Sequence, residues 1–196
     1  MDKSQSTQKN DKIRSLSNRP FGLYIHWPFC HTKCPYCDFN SHVKVTVDEK
    51  NFSDALLTEM TYMASLMPKH PPLSTLFFGG GTPSLMPTTL VERLITQAQN
   101  LFGFASGIEI TAEANPTSVE AKKILEFYQA GVNRVSMGVQ SLDDASLKFL
   151  GREHSVIDAL TALDTVRNAF NAVSIDLIYA LPNQSAKAWR TMLSEA

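Results

Sequence analysis

The feature that most constrains the fold is a repeated alternation between short apolar segments and longer amphipathic ones. Five short apolar segments read as buried strands. They cover residues 21–27, 74–78, 108–114, 134–139 and 172–180. Strands that alternate with amphipathic helices are typical of a parallel sheet with right-handed crossovers. We therefore expect an α/β fold built on a parallel sheet.

The amphipathic segments carry apolar residues at helical spacing. The predicted helices lie within residues 46–67, 88–101, 117–131, 142–150 and 156–169, and a last one begins near 185. Two of them open on a capping-box pattern, Thr46-Val47-Asp48-Glu49 and Thr117-Ser118-Val119-Glu120. Pro68 is predicted to stop the first helix.

Polar residues stand on or directly after each predicted strand, toward its carboxyl end. They are the cysteine loop after the first strand, the run Gly79-Gly80-Gly81-Thr82 after the second, and then Glu113, Gln140 and Asp176. Ligands of parallel sheets bind at the carboxyl ends of the strands, so these residues are predicted to share one site. Asp176 stands inside an apolar run, where we expect a charge to be costly unless it is bound to something.

All three cysteines of the chain, Cys30, Cys34 and Cys37, lie in one loop with the spacing C-x3-C-x2-C. Thiolates are soft metal ligands. Structural zinc usually takes four ligands in two pairs, and no second cysteine pair follows. Three cysteines can hold three irons of a [4Fe–4S] cluster and leave the fourth iron open. Two alternatives stay open. One is a Cys3His zinc site that uses His26, His31 or His42, and the other is a reduced structural cysteine cluster.

Composition bounds the class of protein. With 196 residues and 43% hydrophobic content, the chain can bury one sizeable core. A net charge of −1 disfavours a nucleic-acid partner. Neither a membrane-spanning run nor a signal-peptide core is present in the sequence, and clustered cysteines suit a reducing compartment, so we expect a cytoplasmic protein. Residues 1–19 are polar and predicted to form a disordered tail ahead of a core domain at 20–196.

The string YIHWPFCHTKCPYCDFNSH, residues 24–42, resembles the radical S-adenosylmethionine (SAM) superfamily. The resemblance implies a partial (β/α)6 barrel and a [4Fe–4S] cluster whose open iron is chelated by SAM. An electron from the cluster would cleave SAM to methionine and a 5′-deoxyadenosyl radical. The resemblance runs from Tyr24 to Pro182 and covers about five of six strands, so the chain is expected to be incomplete at its C-terminus.

The same resemblance implies a set of SAM contacts. They are Tyr24, Tyr36, Gly80, Gly81, Thr82, Glu113, Gln140, Arg152 and Asp176. The glycine backbone and Glu113 would hold the ammonium, with ribose as a second possibility for Glu113. Gln140 would meet ribose hydroxyls, and Arg152 would pair with the carboxylate through its planar fork. Half-buried core positions for the tyrosines, and ordinary surface positions for Glu113 and Arg152, are the alternatives.

Within the superfamily, the string is similar to the branch of the oxygen-independent coproporphyrinogen III oxidase and the HemW heme chaperones. The ending CDFNSH points to HemW, and Phe39 stands where the oxidase carries a further cysteine. The resemblance therefore favours a chaperone that takes heme as cargo, an acceptor protein as partner and an electron donor for the cluster. The oxidase and a zinc-binding α/β domain are the alternative functions. His154 is expected to be a solvated histidine at a helix end.

Overall fold

The computed structural model describes residues 20–44, 46–67 and 69–196. Seven strands, numbered in chain order, are present there: β1 Gly22–Trp27, β2 Phe29–Cys30, β3 His42–Val43, β4 Leu73–Gly80, β5 Phe104–Ala114, β6 Arg134–Gln140 and β7 Ala172–Leu177. Five of them form one parallel sheet in the order β1-β4-β5-β6-β7. The disordered tail and the helix stop at Pro68 were predicted for residues outside the described ranges.

Six helices follow in the described part of the chain: α1 Glu49–Leu66, α2 Thr88–Phe102, α3 Ser118–Gln129, α4 Asp144–Phe149, α5 Val156–Arg167 and α6 Ala186–Glu195. A single 3-10 turn, Pro83–Leu85, follows β4. Helix α1 contacts α2, α2 contacts α3, and α3 contacts α5. These helices thus stack on one face of the sheet in strand order, as in the wall of a partial barrel, whereas a doubly wound sheet carries helices on both faces. The predicted α/β fold with a parallel sheet is confirmed. No helix in the described ranges is both long and apolar enough to cross a membrane.

The two faces of the sheet differ in polarity because side chains alternate along a strand. Apolar residues of the central strands join the core beneath the helices: Ile110, Ala112, Val135 and Met137. The opposite face carries a polar ladder in which Arg134 donates to Thr111 Oγ1 at 3.2 Å and to Ser174 Oγ at 2.8 Å. The barrel interior is therefore polar below the edge where the predicted site residues meet.

Helix starts differ from the capping-box predictions. Asp48 caps α1 by accepting from Asn51 N at 3.1 Å, so the box that began at Thr46 is wrong. Aspartate is a strong N-cap and lies directly before the first turn. Thr117 caps α3 as predicted, but the Glu120 carboxylate accepts from Asn115 instead of returning to the cap.

Two strand boundaries and one additional pair of strands also differ from the prediction. Strand β5 begins at Phe104, four residues early, and β7 ends at Leu177, short of residue 180. Ala180 has φ 61°, which an extended strand cannot contain. The short parallel pair of β2 and β3, in which Cys30 lies opposite Val43, was not predicted.

Candidate functional site

A cavity opens at the carboxyl edge of the sheet and is lined by eleven of the twelve predicted site residues. They are Cys30, Cys34, Tyr36, Cys37, Gly80, Gly81, Thr82, Glu113, Gln140, Arg152 and Asp176. The twelfth, Tyr24, is exposed on β1 and lines a neighbouring groove, with its ring stacked 5.9 Å from that of Phe77. Burial, with a contribution from the Glu113 carboxylate, raises the Tyr24 pKa.

The cysteine loop is tied down at both ends. Phe29 packs edge-on against Trp27 and Phe52, with ring centroids 5.0 and 4.9 Å away. His42 N donates to Pro28 O at 2.7 Å and closes the loop through β2 and β3. All three thiols are free and face the same cavity, with Cys30 buried and the other two half-buried. This donor set fits an iron–sulfur cluster held by three thiolates.

The glycine run lies directly against the cysteine loop. Gly81 N donates to Trp27 O at 2.7 Å, and Thr82 N donates to Phe29 O at 3.0 Å. A Cβ at Gly81 would lie 2.8 Å from Phe29 O and 2.9 Å from Cys30 Sγ. The backbone can approach the thiols this closely only because residue 81 has no side chain.

Carboxylates line the side of the cavity formed by β5 and β7. Glu113 accepts from Gly80 N at 3.1 Å, yet burial raises the pKa of this carboxyl, with the nearby Asp176 adding to the rise. Asp176 accepts weakly from Ser136 Oγ at 3.3 Å. The expectation of a buried charge at Asp176 is wrong, because β7 is an edge strand of the described sheet and leaves this side chain exposed.

The Arg152 guanidinium reaches from the loop after α4 to the cysteine loop. It donates through Nη1 to Cys34 Sγ at 3.4 Å and through Nη2 to Gly138 O at 3.0 Å. Gly151, at φ 68°, packs so closely on Pro35 that a Cβ would lie 2.7 Å from its ring. Arg152 Nε is buried and has no partner among the described residues, so the group retains a donor for an incoming acceptor.

Two further predicted residues complete the lining. Gln140 ends β6 with φ 69°, and its Nε2 lies 2.8 Å from the position that a Cβ at Gly138 would occupy, so it packs directly over that glycine. Tyr36 borders both Cys34 and Arg152. Burial, opposed by the Arg152 charge, raises the pKa of Tyr36 to about 12, so its phenol is neutral and can donate a hydrogen bond.

Two of the three histidines considered as zinc ligands are hydrogen-bonded to Asn40, whereas the third, His31, lines the cavity. His26 Nε2 donates to Asn40 O at 2.9 Å, and His42 Nε2 donates to Asn40 Oδ1 at 3.0 Å. Within residues 20–44, 46–67 and 69–196, no three His, Cys, Asp or Glu side chains are arranged around one metal ion. A cluster does not require this, because each thiolate binds a different iron.

Several lining residues were missed by the sequence analysis. They are Asn115 and Gly138, which both accept from Arg152, and Glu120, which contacts Asn115. The segment Glu113-Ala114-Asn115-Pro116 at a strand end was a signal for Asn115, but its partners are distant in sequence. His154 is only 6% exposed and donates to Val139 O at 3.1 Å, so the expected solvated histidine is wrong.

The chain is similar in sequence to known proteins over most of its length. The model of the radical SAM superfamily matches residues 24–196. The "Radical S-adenosyl methionine domain-containing protein 1, mitochondrial" of Mus musculus is 39% identical over 202 residues, which cover 98% of this chain and 45% of the mouse protein. The "Heme chaperone HemW" of Escherichia coli is 39% identical over 168 residues, which cover 85% of this chain and 44% of HemW.

A solved structure with a related sequence shows the same fold as this chain. Coproporphyrinogen III oxidase (HemN) from Escherichia coli, described as a radical SAM enzyme, superimposes with a TM-score of 0.78 at 30% identity, covering 95% of this chain and 44% of HemN. The chain thus spans a little less than half the length of the relatives it matches. Since the superfamily model matches nearly all of the chain after its polar N-terminal segment, the chain belongs to the radical SAM superfamily.

Proposed function

We propose that this chain holds a [4Fe–4S] cluster on Cys30, Cys34 and Cys37 and binds SAM beside it, and that the protein serves as a heme chaperone of the HemW type. The observation that carries the proposal is the convergence of three free thiols, a glycine-lined backbone and the partly unpartnered Arg152 on one cavity. When bound, the cluster would supply the electron that splits SAM.

The polarity of the cavity suits SAM, which carries a carboxylate, an ammonium and a sulfonium group. Arg152 Nε would donate to the carboxylate, where a charge-assisted bond is strong. Glu113, whose pKa is raised mainly by burial, gains a cationic partner when the ammonium lies beside it. Gln140 and Asp176 stand farther along the same edge, where ribose hydroxyls would find both a donor and acceptors.

Two observations favour the chaperone over the oxidase. The relatives at 39% identity include a protein named heme chaperone HemW. Phe39, 60% exposed at the cavity, stands where the resemblance places a further cysteine of the oxidase. The oxidase stays the second candidate because HemN is a close structural neighbour. His154 is buried and bonded to a main-chain carbonyl, so it does not support a heme-ligand role.

The cluster is tested by iron and sulfide analysis and a visible spectrum on protein purified and reconstituted without oxygen. We expect about four irons per chain and a broad absorbance that dithionite bleaches. Cys34→Ala should lose it, whereas His31→Ala, in the same loop, should keep it. Stoichiometric zinc without iron, or a loss of metal in the His31 variant that matches the cysteine variant, would point to the zinc alternative.

The chaperone and the oxidase are distinguished with the full-length natural protein, purified and reconstituted without oxygen in the same way. Heme titration should produce a saturable Soret shift. Incubation of coproporphyrinogen III with SAM and a strong reductant should yield no protoporphyrinogen by porphyrin fluorescence. Multiple-turnover decarboxylation would assign the oxidase instead.

A further inference from the structure

One buried carboxylate at the cavity has no role in the proposed SAM and cluster contacts. Glu120, in the first turn of α3, is only 8% exposed. It accepts from Asn115 N at 2.9 Å, from Asn115 Nδ2 at 3.2 Å, and from the hydroxyl of the fully buried Ser84. A buried charge is stable only when its acceptor sites are filled, and here the partners come from two separate segments of the chain.

The next link is the side chain of Asn115. Its Nδ2 faces Glu120, and its Oδ1 accepts from Arg152 Nη2 at 2.7 Å. A carboxylate only accepts hydrogen bonds and a guanidinium only donates them, so the amide has one orientation that satisfies both neighbours. Glu120 thereby determines that Arg152 meets an acceptor at this point.

We propose that Glu120 and Asn115 are positioning residues that hold the Arg152 guanidinium with its Nε directed to the SAM carboxylate. The inference rests on the proposed function, because Arg152 is the group assigned there to SAM. Two donors of Nη2 are fixed by Asn115 Oδ1 and Gly138 O, and Nη1 is directed to Cys34 Sγ. Nε is the buried donor left without a partner among the described residues.

The chain of bonds also joins the loops that build the cavity. Ser84 lies in the 3-10 turn that follows the glycine run, and Asn115 follows β5. Glu120 binds both, and Arg152 extends the connection to the cysteine loop through Cys34. A shift of Glu120 would therefore reach the cluster loop and the SAM contacts through hydrogen bonds alone.

Glu120→Gln tests the orientation with one changed atom. If the remaining oxygen of the substituted side chain still accepts from Asn115 N and Ser84, the new NH2 group faces Asn115 Nδ2. The Asn115 amide must then turn its own NH2 group toward Arg152. If the substituted amide is rotated the other way, its NH2 group faces the main-chain N–H of Asn115. Either way a donor meets a donor, and we expect SAM to bind about tenfold to a hundredfold more weakly.

A charge swap distinguishes positioning from general damage. In the double variant Asn115→Asp with Glu120→Gln, the new amide at 120 donates to the new carboxylate at 115, which still accepts from Arg152. We expect this variant to regain most of the SAM affinity, although Asn115→Asp alone sets two carboxylates against each other. Glu126→Gln, on the exposed side of the same helix, should bind SAM like the unaltered protein.

The measurements are SAM affinity by calorimetry and the change that SAM produces in the electron paramagnetic resonance signal of the reduced cluster. Thermal melts establish that each variant is folded. A folded Glu120→Gln variant with unchanged affinity, or a folded swap variant no better than the single variants, would overturn the proposal.

A readout without cofactors separates this inference from the proposed function. The Arg152 Nε–H resonance in 15N-labelled protein, identified by its loss in Arg152→Lys, should have the same chemical shift in the unaltered, swap and Glu126→Gln proteins and a different one in Glu120→Gln. Absence of cluster and SAM binding in the unaltered protein would defeat the proposed function, and the chemical shifts would still decide the positioning. Equal chemical shifts in all variants would refute it.

Discussion

Replacing Gly81 by alanine tests the contact between the glycine run and the cysteine loop. The added Cβ would lie 2.8 Å from Phe29 O, 2.9 Å from Pro28 C and 2.9 Å from Cys30 Sγ. Two of these atoms are main chain, and the third is the thiol sulfur of the buried Cys30, a proposed cluster ligand, so no flexible side-chain end can give way. The cysteine loop and the glycine run must move apart.

Overpacking of this kind costs about 1–3 kcal/mol of folding free energy. Relief requires a shift of several tenths of an ångström, because ordinary carbon contacts lie at about 3.5–4.0 Å. That shift also strains the hydrogen bonds from Gly81 N and Thr82 N, which hold the loop to β4. We therefore expect Gly81→Ala to lower both the free energy of unfolding and the iron content after anaerobic reconstitution.

Gly107→Ala is the matched control. Gly107 has φ 72°, and nothing lies within 4 Å of its hypothetical Cβ, so alanine there costs about 1 kcal/mol of backbone strain without touching the site. Urea melts and iron-to-protein ratios on the two variants provide the comparison. If Gly81→Ala keeps full iron content and loses no more stability than Gly107→Ala, the steric argument is wrong.

Two further predictions concern the carboxylates of the cavity. Burial is the main cause that raises the Glu113 pKa in the folded chain, so deprotonation of this carboxyl disfavours folding. The protonated Glu113 therefore contributes to stability below the unfolded-state pKa, and this contribution is lost as pH rises through the folded-state pKa. Because SAM would pair with the ionised form of Glu113, the affinity for SAM should rise over the same pH range. Glu113→Gln should flatten both the stability profile and the affinity profile against pH. Parallel profiles in the two proteins would contradict this. Asp176→Ala should change stability by less than about 0.5 kcal/mol, since the side chain is exposed, while weakening SAM binding; a large loss of stability in melts would restore the buried-charge interpretation.

The sheet and the location of the site were predictable because both follow from topology. Alternating strands and helices define a parallel sheet, and its strand ends meet at one edge whatever their order. This is why Cys30 and Asp176, far apart in sequence, line the same cavity. Tyr24 lies on the edge strand β1, where it is exposed and borders the neighbouring groove, so its assignment as a SAM contact stays a prediction.

The details that failed depend on neighbours that a local pattern does not contain. Thr46 and Asp48 are both suitable caps, and only the packing of the first helical turn selects between them. In α3, Phe127 is buried in the core, whereas the next residue, Tyr128, is half exposed. The spacing of apolar residues along a helix does not determine which of two adjacent positions faces the core.

The hydrogen-bonded links between loops give a reason for the glycines at this edge. Gly81 brings β4 against the cysteine loop, and Gly151 brings the loop that carries Arg152 against Pro35 in that same loop. Each contact is made where an added Cβ would overlap, so the cysteines are held from both sides before any cofactor is present. A site held in this way binds its cofactor without first ordering the ligands, which reduces the entropy lost on binding. Side chains at 81 or 151 would therefore harm cofactor binding even where the sheet still folds. The fold depends on the apolar faces of the strands and helices, whereas the site depends on the close approach of three loops.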